Sequence, residues 1–220
     1  MNNVDARRPL KTRNVELAKK IARYISKQNI TPNQISLISI VFAALAGLCL
    51  LFLPYVNGSG RWLLPITAGV LVQCRLLCNL FDGMVAVEGG KHTKSGELFN
   101  DIPDRFADVL IIVSVGYSIT VVSYGVELGW LAAILAIMTA YVRTLAASVK
   151  APINFQGPMA KPHRMALITA ACLLTAIESA FWWQSYSLLI ALMLMILGCT
   201  LTLYNRITAA YRYLENEDTV

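Results

Sequence analysis

The chain is 220 residues long with 56% hydrophobic and 15% charged residues, against roughly 25% charged in a typical soluble domain. That balance excludes a soluble globular body and makes lipid the solvent of most of the chain. A net charge of +6 does not indicate nucleic acid, because the basic residues cluster beside apolar runs without interleaved aromatic residues; anionic lipid headgroups fit that pattern.

In chain order, residues 1–30 read as a basic cytoplasmic segment. Val15, Ala18, Ile21, Ala22 and Ile25 fall near one helical face, with Lys19, Lys20, Arg23 and Lys27 largely elsewhere, which predicts an amphipathic interfacial helix. Thr31, Pro32 and Gln34 then supply an N-cap, a first-turn proline and the reach-back residue of a capping box. Six apolar runs follow, approximately Ser36 to Val56, Leu63 to Leu80, Phe106 to Val122, Leu128 to Ala147, Met165 to Trp182 and Ser187 to Tyr204. Each is near the ~20 residues a helix needs to cross a bilayer. The expected fold is all-α: a polytopic integral membrane protein with six transmembrane helices in one domain, residues 31–210, and a cytoplasmic tail, 211–220. The first run follows some thirty polar residues and is long enough to span, so it reads as an anchor and not a removable signal. There is no internal repeat.

Eight lysines and arginines (Arg7, Arg8, Lys11, Arg13, Lys19, Lys20, Arg23, Lys27) precede the first run, and Lys91, Lys94, Arg105, Lys150, Lys161 and Arg164 flank the connections after the second and fourth. The opposite connections carry Arg61 alone. The positive-inside bias places both termini in the cytoplasm. Cys49, Cys74, Cys78, Cys172 and Cys199 lie inside the apolar runs and read as small hydrophobes; His92 and His163 sit in no metal-ligand pattern.

The stretch 79–104, NLFDGMVAVEGGKHTKSGELFNDIPD, is of another kind. Arg75, Asn79, Asp82 and Ala86 step by four, three and four along the end of the second run, so they share a helical face. Asn100, Asp104 and Asp108 step by four at the start of the third, with Asp101 three before Asp104. Consecutive helices tend to pack together, so the two faces are expected to meet. Carboxylates gathered at low dielectric resist ionisation unless a cation neutralises them, and oxygen donors suit Mg²⁺ or Mn²⁺. Gly83, Ala86, Gly89, Gly90 and Gly96 would admit close approach of a ligand or a helix. For any one residue, an ordinary place at a helix end competes evenly with this reading. The paired arrangement favours a site.

This frame resembles the signature of the CDP-alcohol phosphotransferases, D-x2-D-G-x2-A-R, about eight residues, then G-x3-D-x3-D. Here it reads N79-x2-D82-G83-x2-A86-V87, eight residues, then G96-x3-N100-x3-D104. The preceding amphipathic segment, the T31-P-N-Q start and the six apolar runs resemble the family too. Asn79 and Asn100 replace two signature aspartates, which removes two formal negative charges from a two-metal site, and Val87 replaces the arginine. Asp101 and Glu88 stand beside the altered positions. The stretch R75-x3-N79-x2-D82-G, with N100 and G157-P-M-A-K-P-H-R164, looks like an Asn-containing bacterial subgroup.

The resemblance implies phosphatidyl transfer from a CDP-linked lipid, typically CDP-diacylglycerol, to an alcohol, with CMP released, at the cytoplasmic face of a bacterial inner membrane. It implies a divalent cation on Asp82, with Asn79, Asn100 and Asp101 beside it and Asp104 as base and further ligand. Asp82, Gly83, Ala86 and Gly96 would receive the nucleotide; a homodimer is common in the family. Between the fourth and fifth runs, F155-Q-G-P-M-A-K-P-H-R164 brings Lys161 and Arg164 to the membrane boundary. With Arg105 and Arg143 they would suit an anionic acceptor alcohol. Two other readings stay open: a CDP-lipid-binding or regulatory protein without turnover, and a small transporter with Arg75, Arg143 and Glu178 along a pathway.

Overall fold

The computed structural model describes residues 16–28, 30–88, 96–152, 157–181 and 185–217, in which seven α-helices and no strand are present. The expectations for Arg7, Arg8, Lys11, Arg13, Val15, Gly89, Gly90, Lys91, His92, Lys94, Phe155 and Gln156 fall outside those residues. The helices are α1 (Glu16–Lys27), α2 (Pro32–Phe52), α3 (Gly60–Glu88), α4 (Gly96–Ser118), α5 (Gly125–Ser148), α6 (Lys161–Glu178) and α7 (Tyr186–Glu217).

Local chemistry accounts for where they begin and end. The Thr31 side chain accepts from the Gln34 N–H while the Gln34 side chain accepts from the Thr31 N–H, a complete capping box with Pro32 in the first turn of α2. A 3-10 turn over Leu53–Tyr55 closes the other end. The carboxylate of Glu178 accepts from Ser187 N–H (3.1 Å) and Ser187 Oγ (2.8 Å), serving the unpaired amides that open α7.

Among the described residues four segments are long and apolar enough to cross a membrane: Pro32–Tyr55, Gly60–Val87, Gly125–Ser148 and Tyr186–Glu215. This is fewer than the six spans expected. Of the expected spans, α4 and α6 are left out, because their charges fall within any span-length stretch: α4 carries Asp101, Asp104, Arg105 and Asp108, and α6, only 18 residues long, carries Lys161, Arg164 and Glu178.

The expectation that the second and third apolar helices lie side by side needs a correction. α2 packs along both α3 and α4, whereas α3 and α4 touch little. Small residues permit that wedge: a Cβ on Gly47 of α2 would stand 2.8 Å from Ser114 Oγ and 3.4 Å from the Leu110 carbonyl of α4. Around the bundle the order is α3, α2, α4, α5, α7, α6 and back to α3. Gly116 and Gly129 bring α4 and α5 together, since a Cβ on either would lie within 2.8 Å of the other's Cα. The ring closes on a core that includes Leu50, Val72, Ile111, Ile112, Met165, Ile168, Leu192 and Met195. Ala22, with the partly buried Ala18 and Ile25, sets α1 against Met84 and Val85 of α3 and Ile35 of α2. Ile21, expected on that face, is exposed.

Candidate active site

At one end of the ring, six helices contribute polar side chains to a single cluster. The ends that meet there are the start of α2, α4 and α6 and the close of α3, α5 and α7, as an up-and-down bundle requires.

The face that α3 turns inward carries Arg75 and Asp82, which are buried, and Asn79, which is half-buried. Arg75 donates to Asp108 Oδ1 (2.7 Å), Asp104 Oδ1 (3.3 Å) and the Asp104 carbonyl (3.2 Å) on α4. Asn79 Nδ2 also donates to Asp104 Oδ1. The two stepped faces therefore meet through side chains although the helices themselves touch little.

From α6, Arg164 donates to Asp108 Oδ2 (2.9 Å), Thr139 Oγ1 of α5 (3.2 Å) and the Met159 carbonyl (3.0 Å). Asp108 thus lies between two buried guanidiniums, and the pairing offsets the cost of removing all three charges from water. Arg206 of α7 donates to the Thr139 carbonyl, fastening the same corner. Lys161, at the head of α6, donates to Asp104 Oδ2. Nearer the mouth, Arg143 of α5 pairs with Asp101 (3.1 Å), and Arg105 pairs with Asp101 (3.5 Å) and Asp104 (4.0 Å).

Asp82 differs from the other carboxylates. It has no ion pair among the described residues; one oxygen accepts from Ser36 Oγ of α2 (2.7 Å), and the other, Oδ1, is buried without a hydrogen-bond partner. An unsatisfied buried carboxylate oxygen is costly unless a ligand completes it.

The predicted site residues fall into groups. Asp82, Asn79 and Asp104 come together with Lys161, while Asp101 turns to Arg143 and Arg105. Asn100 is exposed; Gly83, Ala86 and Gly96 are half-buried beside the cluster. Arg164 enters the bundle, but its terminal nitrogens are held by protein groups. Ser36, Thr139 and Arg206 went unnoticed in the sequence. An arginine in the last turns of an apolar run is a signal for Arg206, whereas nothing in the local pattern singles out Ser36 or Thr139.

A divalent cation fits this donor set in a restricted way. Among the described residues no three His, Cys, Asp or Glu side chains form a metal-holding group. The orphaned oxygen of Asp82, one helical turn from the Asn79 that touches Asp104, nevertheless suits an ion that takes one or two carboxylates and completes its shell with water and substrate phosphate, as Mg²⁺ commonly does.

The family model for CDP-alcohol phosphatidyltransferase matches residues 29–204 of the chain. No curated protein sequence matches it. Among solved structures it is similar to the Mycobacterium tuberculosis phosphatidylinositol phosphate synthase with CDP-DAG bound, with a TM-score of 0.72 and 17% identity over 90% of this chain and 94% of that one. The same synthase in complex with manganese and citrate gives a TM-score of 0.72 at 15% identity, over 88% of each chain. Its apo form gives 0.68 at 17% identity, over 87% of this chain and 95% of that one. At these identities the likeness is one of fold.

Proposed function

Because the chain belongs to the CDP-alcohol phosphatidyltransferase family, we propose that it moves the phosphatidyl group of a CDP-linked lipid, CDP-diacylglycerol or a relative, onto an alcohol, as a step of phospholipid synthesis. The observation that carries this reading is Asp82, a buried carboxylate with an open oxygen in the signature frame, set beside Asp104 among cationic side chains. The CDP-DAG and manganese held by the M. tuberculosis synthase are consistent with the same chemistry.

In this reading Asp82 and Asp104 would hold Mg²⁺ or Mn²⁺, with Asn79, Asn100 and Asp101 as further candidate donors. When bound, the ion offsets the charge of the pyrophosphate and of the phosphoryl oxygens as they become more negative. Ser36 fixes Asp82 so that Oδ1 faces the ligand. Gly83, Ala86 and Gly96 leave room for the cytidine nucleotide. The acceptor hydroxyl loses its proton to Asp104 as its oxygen bonds to the lipid-side phosphorus; the bond from that phosphorus to the CMP oxygen breaks, and CMP leaves with the electron pair.

Lys161, Arg105 and Arg143 surround the mouth, each partly exposed. The cluster holds four carboxylates, Asp82, Asp101, Asp104 and Asp108, and six cationic side chains, Arg75, Arg105, Arg143, Lys161, Arg164 and Arg206. That excess favours an anionic acceptor, a sugar or polyol phosphate, with Arg164 acting through Asp108. Six spans with α1 at the interface and both termini cytoplasmic complete the reading. Ring closure supports α4 and α6 as spans, because their charges face partners inside the bundle and not lipid.

A second reading, CDP-lipid binding without turnover, draws on the two asparagines and on Lys161 occupying Asp104. The transporter reading loses support because its three charges are each engaged by protein groups, Glu178 by Ser187, Arg75 by Asp104 and Asp108, and Arg143 by Asp101. CMP release from CDP-diacylglycerol by purified protein, with Mg²⁺ or Mn²⁺ and pooled alcohols, tests the proposal. Release that disappears in Asp82→Asn is the expected result. Tight CDP-lipid binding with no release under any pairing would favour the second reading.

A further inference from the structure

The two oxygens of Asp104 face different surroundings. Oδ1 is held from below by Arg75, fully buried, and by Asn79. Oδ2 faces two partly exposed cations: Lys161 donates to it and Arg105 stands 4.0 Å away. The Lys161 side chain is 21% exposed against 8% for Asp104, so Lys161 is the more accessible partner of the pair.

The backbone below Lys161 is firmly placed. Gly157 has φ +130°, and a Cβ there would stand 2.5 Å from Thr202 Cγ2 of α7; Met159 N–H donates to Thr202 Oγ1 (3.1 Å). The four-carbon lysine stem can therefore move while its backbone stays put, and its ammonium is a point charge with no fixed fork to break.

With asparagine at 79 and 100, Asp82 and Asp104 are the two signature carboxylates that remain, and Lys161 already neutralises one of them. We infer that Lys161 is a resident counter-cation that competes with the divalent ion for Asp104, and that an oxyanion drawing Lys161 away opens the carboxylate to the metal. The inference rests on the cation reading given above. Its consequence is reciprocal: whatever an anionic ligand adds to metal affinity, the metal adds to affinity for that ligand. Ordinary surface ion pairing would produce no such link, because a lysine that merely anchors α6 could be neutralised without changing the metal site.

The test is Mn²⁺ affinity, read by electron paramagnetic resonance on the detergent-solubilised full chain, with and without inorganic sulfate. Lys161→Gln should bind Mn²⁺ about tenfold more tightly than wild type and lose the enhancement that sulfate gives wild type. Lys161→Arg, which keeps the charge, should show no such tightening, and it separates competition from a folding defect. Equal or weaker Mn²⁺ binding by Lys161→Gln, or the same sulfate effect in both proteins, overturns the inference while leaving the cation reading in place. Absence of Mn²⁺ binding in all three proteins overturns both.

Discussion

Asp82 is held at the site by one hydroxyl and no cation, so its neighbours decide what it can do. Ser36→Ala leaves both oxygens without a protein donor. A hydrogen bond to a charged group is worth about 1.5–3 kcal/mol, so the expected effect is about a tenfold or greater loss of CMP release with the helical fold retained. Normal turnover in Ser36→Ala would remove Ser36 from the site. Asn79 has its own logic, because its amide donates to Asp104. Asn79→Asp would set carboxylate against carboxylate, a pair stable only when a cation lies between them. Melting temperature of Asn79→Asp should fall in chelator and recover with Mn²⁺ more than wild type does; identical Mn²⁺ response in the two would contradict this account of the asparagine. Arg75→Met leaves Asp108 to Arg164 alone and takes from Asp104 its fully buried cation, and breaking a buried pair from one side costs up to about 3–5 kcal/mol. A melt within a degree or two of wild type would show that the network is not holding α3 to α4.

Among the helices, the crossing of α4 and α5 is the sharpest packing constraint. Gly129 lies against Gly116 with no room for a side chain, so Gly129→Val should push the two helices apart. Since α4 carries Asp104 and α5 carries Arg143, both melting temperature and CMP release should drop; Gly58→Ala, with nothing within 4 Å of its Cβ position, is the comparison for backbone strain alone. Elements were legible in the sequence where the signal is local. T31-P-N-Q spells the capping box, and the stepping of Arg75, Asn79 and Asp82 puts them on one face. Helix order was not legible, because six apolar runs carry no address for their partners. That is why α2 between α3 and α4 is a finding of the structure. Ser36 and Thr139 belong to the same class: their importance lies in what faces them from other helices.

For the whole molecule, charge placement and ring closure have to agree with a membrane. The face between lipid and ring is apolar, with Leu48, Ile134, Leu173 and Leu197 among its exposed side chains, while the charges of α4 and α6 turn inward to one another. If α4 and α6 span, single cysteines at the Tyr124 and Tyr186 ends of the bundle should be labelled from the same side of sealed vesicles, and a cysteine at Arg212 from the other. Labelling of Arg212→Cys and Tyr124→Cys from one side would break the topology. On the proposed function, Asp82 and Asp104 form a site for phosphatidyl transfer in spite of Asn79 and Asn100. The most direct measurement follows both products at once, CMP and the new phospholipid, from CDP-diacylglycerol and a polyol phosphate in wild type, Asp82→Asn and Asp104→Asn. Equimolar products are expected in wild type, none in Asp82→Asn, and in Asp104→Asn a transfer rate reduced far more than CDP-lipid binding. Equimolar products at the wild-type rate in both variants would contradict the proposed function.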